Sequence, residues 1–138
     1  MDRLSQIIKA ELNNIDELFD EMPPSSKLPE LSALELAGVA ALLHNFYNGI
    51  ENIIKQVFIS HKIPIPEGKS WHKELLENAV NKNIISGECK NQLGLYMAFR
   101  HFFSHAYALD LYNEKMEPLV ESLKDVYSLF RKEISRFT

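Results

Sequence analysis

A single cysteine, Cys89, stands in this chain of 138 residues. No intramolecular disulfide can form, no cysteine-based metal centre can be built, and a reducing compartment suits the chain. Glycine is scarce at five, and the six prolines gather mainly at Pro23, Pro24 and Pro29 and at Pro64 and Pro66. That leaves room for a few long elements and argues against many short strands. No apolar run reaches the 18 or so residues that a membrane span needs. The opening Met1-Asp2-Arg3-Leu4 has no basic start followed by an apolar stretch, so no secretion signal is expected and the cytoplasm is the expected compartment. A surplus of positive charge is missing too. The formal net charge is -4, which excludes a broad, non-specific nucleic-acid coat but not a local grip on RNA at one cleft.

What is present suits one soluble globular domain over residues 1–138. Hydrophobic residues make up 46% and charged residues 25%. Leu4, Ile7, Ile8, Leu12, Ile15, Leu18 and Phe19 recur at the helical period and predict a helix over 2–21. The proline-rich stretch 22–29 predicts a loop. Ser32-Ala33-Leu34-Glu35 matches a capping box and opens a long helix to about Ser60. The apolar face of that helix is wide enough for a central position, and Gly49 within it marks close helix packing. After a second loop, Ser70 caps a short helix through about Lys82 that buries Trp71, Leu75, Leu76 and Ala79. A fourth helix runs from about Glu88 to Leu109. Asn113 starts a fifth, with Met116, Leu119, Val120, Leu123, Val126, Tyr127, Phe130 and Ile134 as its stripe. Five helices and no strand predict an all-α, up-and-down antiparallel bundle.

Chemistry concentrates between Tyr96 and Tyr107. Helical steps of about 100° turn Phe99, Phe102 and Ala106 to the core. Arg100, Ser104 and Tyr107 fall on one side, and His101 and His105, four apart, stack on a neighbouring side. A guanidinium, two imidazoles and two hydroxyls together suit phosphodiester cleavage without a metal. An imidazole can take the proton of a ribose 2′-hydroxyl. A guanidinium forks onto phosphate oxygens and stabilises the transition state. Such a reaction would leave a 2′,3′-cyclic phosphate, and it needs RNA rather than DNA.

Arg-x-x-x-x-His on the penultimate helix of a small bundle resembles the signature of the HEPN superfamily, with His101 in the polar place after the arginine. The longer form, Arg100 to His105 and Tyr107, is similar to the HepT family of toxins. The stretches Asn45–Ile54 and Ser70–Leu76 also look like HepT-like chains, so the likeness spans roughly 31–123. The resemblance implies an endoribonuclease toxin that needs no cofactor, with Arg100 and His105 catalytic and His101 and Ser104 supporting. Its implied partner is an MntA-like minimal nucleotidyltransferase antitoxin that transfers AMP to Tyr107, adding negative charge that repels phosphate. It also implies a homodimer whose two Arg-His sets face one cleft, concentrating positive potential in an acidic protein. A non-catalytic HEPN module that binds a nucleotide or accompanies a nucleotidyltransferase would share this fold.

Plainer readings stand beside these. Arg100 can pair with Glu88 or Glu114. His101 and His105 have a spacing that can hold zinc, but no third ligand is identifiable. His72 reads as a packing residue at a helix start, and His44 as a satisfied core or interface histidine. Cys89 reads as a small buried side chain rather than a nucleophile.

Overall fold

The computed structural model describes residues 2–105 and 113–138. Among them the chain is an all-α bundle with no strand. Its helices are α1 (Arg3–Glu21), α2 (Ala33–Ser60), α3 (Trp71–Asn81), α4 (Gly87–His105) and α5 (Asn113–Ile134). The fourth helix of the sequence reading extended to Leu109; residues 106–112, with Ala106 and Tyr107, lie outside the described residues. None of the described helices is long and apolar enough to cross a membrane.

Helix α2 is the axis of the bundle, packed against α1, α3, α4 and α5. Its start is the predicted capping box. The Glu35 amide donates to Ser32 Oγ at 3.1 Å, and the Ser32 amide donates to Glu35 Oε1 at 3.0 Å. The wide apolar face is buried through Leu43, Phe46, Ile50, Ile54 and Phe58. Gly49 sits where α1 crosses closely: a Cβ there would lie 3.1 Å from the Ile15 side chain. The glycine is therefore a packing choice that accepts a helix-propensity cost of about 1 kcal/mol.

Two local features depart from the sequence reading. The predicted loop at 22–29 contains a 3-10 turn, Ser25–Glu30, that packs on α5 with Leu28 fully buried. Proline prevents an α-helix there, but the tighter turn tolerates it and still inserts one anchor. Ser70 precedes α3 as expected, yet its side chain makes no capping hydrogen bond. Its backbone (φ -102°, ψ 20°) is not the extended form that aims a hydroxyl at the first turn. The chain enters α3 instead through Gly68, whose φ of +101° favours glycine.

Polar ties fix α4 and α5, which frame the chemistry. The Tyr96 hydroxyl donates to the Leu119 carbonyl at 2.6 Å. At the start of α4, the Ser86 amide and hydroxyl both donate to the Glu133 carboxylate, at 2.7 and 2.6 Å. Cys89 is buried just inside, and burial, with Glu133 beside it, pushes its thiol pKa up to about 12. That thiol is packing material, as the sequence reading had it.

Candidate functional site

Helices α3 and α4 enclose an open cleft of about 570 Å³. Among the described residues, its ionisable lining consists of Lys69, Lys73, Arg100, His72, His101 and His105, with no carboxylate. In a chain of net charge -4, this is a local concentration of positive charge and nitrogen donors. One protomer supplies it alone, so the acidic total needs no second copy to be reconciled with an anionic ligand.

The helical steps of α4 place the sequence-selected residues as follows. Arg100 is half-buried; His101, Ser104 and His105 are exposed, and all four line the cleft. The His101 and His105 rings lie with centroids 4.6 Å apart, as the four-residue spacing requires. The Ser104 hydroxyl donates back to the Arg100 carbonyl at 2.9 Å, which leaves its oxygen as an acceptor. Among the described residues, no three His, Cys, Asp or Glu side chains gather in a way that could hold a metal ion. Tyr107, the predicted modification position, lies outside the described residues.

Arg100 does not pair with Glu88 or Glu114. Its Nε donates to Asn48 Oδ1 at 2.8 Å, and its Nη1 lies 3.4 Å from His72 Nε2. His72 Nδ1 in turn meets Glu51 Oε2 at 2.5 Å. Glu51, on α2, is only 3% exposed. Asn48 and Glu51 are three apart, so one face of α2 presents both to the Arg100–His72 pair. The guanidinium is thus held at its Nε edge, while much of its donor fork stays available to a ligand.

His72 is more than packing at a helix start. It lies against Trp71, with ring centroids 3.7 Å apart, and Lys55 Nζ stands 4.3 Å from the Trp71 ring centroid. Sequence reasoning missed Glu51, Asn48, Lys69 and Lys73 as site residues. Glu51 carried a signal: it follows Tyr47 by four and precedes Ile54 by three, inside the buried stripe of α2. A carboxylate there must find a partner. His44, also on α2, differs from its reading. Its ring packs on Phe103 with centroids 4.9 Å apart, but its buried Nδ1 has no hydrogen-bond partner among the described residues. Burial lowers its pKa, the nearby Arg100 charge lowers it further, and Glu51 partly offsets both.

Phe99 and Phe102 face the core as expected: Phe99 is buried, and Phe102 is half-buried and packs against the core. Phe102 also lines a groove between α4 and α5, with Lys115 Nζ 4.2 Å from its ring centroid.

No curated protein and no solved structure gives a significant match to the chain. A family model described as HepT-like protein matches residues 38–138, which takes in Asn48, Glu51, the whole α3–α4 cleft and the fifth helix. On that match, over most of its length, the chain belongs to the HepT-like family.

Proposed function

We propose that the protein is the toxin of a toxin–antitoxin pair, an endoribonuclease that cleaves RNA by metal-independent Arg/His chemistry. The observation that carries this reading is the α3–α4 cleft, where Arg100 and His105 share a lining that, among the described residues, has no carboxylate. Arg100 binds the scissile phosphate and stabilises the charge that develops on it. His105 moves a proton in the same step. His101 stacks on His105 and supports it. Lys69 and Lys73 hold neighbouring phosphates. The antitoxin is a small nucleotidyltransferase that silences the site by transferring AMP to Tyr107, two residues beyond His105. The toxin works as a homodimer in the cytoplasm.

The test is purified protein with RNA in EDTA. Wild type leaves 2′,3′-cyclic phosphate ends. Arg100→Ala lowers kcat by about 10²-fold or more, and His105→Ala lowers it by about 10²–10⁴-fold. Equal cleavage by all three proteins removes the assignment. Co-expression with a small nucleotidyltransferase of the antitoxin type adds the mass of AMP to Tyr107 and not to a Tyr107→Phe variant.

A further inference from the structure

Cleavage of RNA to a cyclic phosphate moves two protons. One leaves the 2′-hydroxyl as its oxygen attacks phosphorus, and one arrives on the 5′-oxygen as the phosphorus–oxygen bond breaks. The family motif was read as supplying His105 for proton transfer. Resting on the ribonuclease reading above, we infer that the second group is His72, oriented by Glu51: His72 Nε2 is the base for the 2′-hydroxyl, and His105 is the acid for the 5′-oxygen.

The hydrogen bonds decide which nitrogen of His72 is free. A guanidinium can only donate, so the Arg100 Nη1 contact at 3.4 Å presents a proton to Nε2, which must carry the lone pair. A carboxylate can only accept, so Nδ1, 2.5 Å from Glu51 Oε2, must carry the proton. Both neighbours select the same tautomer. The lone pair therefore points to the arginine that binds phosphate, and the cleft gives it access, since His72 is a quarter exposed at 24%. The Nε2 contact is long for a hydrogen bond, so a phosphate that draws the Arg100 fork releases it at little cost. A 2′-hydroxyl beside that phosphate then meets a free base.

Glu51 serves the same step. When Nε2 takes the proton, the ring becomes an imidazolium, and the carboxylate already bonded at Nδ1 stabilises it. This is the division of labour of a carboxylate-oriented histidine. A buried carboxylate held only to fasten α3 to α2 would be a costly fastener, because charge burial takes several kcal/mol to offset. His101 does not share this geometry: it is exposed, and its recorded ring contact is with His105. Over the cycle, His72 gains the 2′ proton, His105 gives one to the 5′-oxygen, and exchange with water restores both.

The experiment uses the full chain and an RNA with one mapped cleavage site, made with the natural 5′-oxygen or with a bridging 5′-sulfur. Sulfur leaves without protonation and so makes an acid unnecessary. His72→Asn keeps a donor where Nδ1 faces Glu51 and removes Nε2. It should lose about 10²–10⁴-fold in kcat on both substrates, while KM and the circular dichroism spectrum hold. His105→Ala should lose activity on the oxygen substrate and recover it on the sulfur one. Recovery of His72→Asn by sulfur would overturn the base assignment, as would oxygen-substrate cleavage near the wild-type rate. If His72→Asn does not fold, Glu51→Gln carries the test: it keeps an acceptor for Nδ1–H but no charge. It should lower kcat about tenfold or more on both substrates, and an unchanged kcat would sink the pair. A wild type that cleaves no RNA removes the ribonuclease reading itself. Cleavage that needs Arg100 and His105 but not His72 removes only this inference.

Discussion

Helix α4 is flanked by two clefts of nearly equal size, about 590 Å³ toward α5 and about 570 Å³ toward α3. Ala98 lies on the ridge and lines both. The larger cleft is mostly apolar, with Leu95, Phe99 and Phe102 beside one lysine and one aspartate, Lys115 and Asp125. The smaller has, among the described residues, six basic or imidazole side chains and no carboxylate in its lining. Volume therefore does not separate them. The difference lies in which stripe of α4 faces outward and in what lies beneath it. Under the α3-side cleft, α2 places Asn48 and Glu51, two polar groups set into its apolar face, and they hold Arg100 and His72 in place. On the α5 side Tyr96 spends its hydroxyl on the Leu119 carbonyl. Convergent polar groups, not empty space, mark a site for chemistry.

The comparison breaks most readily on activity. Arg100→Ala should remove cleavage, whereas Leu95→Ser, on a side chain 63% exposed in the opposite cleft, should leave kcat and thermal stability at wild-type values. A drop in cleavage with Leu95→Ser would place the RNA path across α5 and undo the contrast.

A smaller effect tests the lysines. Lys69 and Lys73 are exposed at the cleft edge, and Lys73 also stands 4.0 Å from Glu77. Exposed pairs of that length contribute little, so both lysines are available to phosphate. Changing both to alanine should raise KM severalfold at unchanged kcat. The slope of log affinity against log salt should flatten by roughly 0.7 per lysine, the value for single-stranded nucleic acid. Cleavage and salt dependence identical to wild type would confine the phosphate contacts to Arg100.

Much of the fold was legible because its signals are local. The apolar periods of α1, α2 and α5 and the Ser32–Glu35 box all depend on neighbours a few positions apart. The site was half legible for the same reason. Arg100, His101, Ser104 and His105 share one helix, so their spacing alone places them together. Their partners come from elsewhere: Glu51 is 21 positions from His72, His72 is 28 from Arg100, and Asn48 is 52 from Arg100. No periodicity reports such pairings. The groove between α4 and α5 was not legible either, because Phe102 faces the core while Lys115, thirteen positions on, stands over its ring.

Stability gives a third contrast. Tyr96→Phe removes a buried hydroxyl whose acceptor, Leu119, lies in the α4–α5 seam. The expected cost is about 1 kcal/mol, as for an ordinary buried hydrogen bond. Chemical denaturation should record it, while RNA cleavage stays unchanged. A matching loss of kcat would show that the seam also positions Arg100.

At Gly49 two quantities oppose each other. Alanine gains about 1 kcal/mol of helix propensity in the interior of α2. Its Cβ would stand 3.1 Å from Ile15 Cδ1 and Cγ1 and 3.3 Å from Glu11 Oε1. Glu11 is half-buried, and its other oxygen accepts from Asn52 Nδ2 at 3.0 Å, so movement strains that bond. Ile15 is 1% exposed and has no room to withdraw. Overpacking of that kind costs about 1–3 kcal/mol. Gly49→Ala should therefore be destabilising by up to about 2 kcal/mol, the difference of the two. A stabilised variant would show that α1 can shift away from α2. Cleavage should survive either way, because α1 contributes no residue to the lining of the α3–α4 cleft.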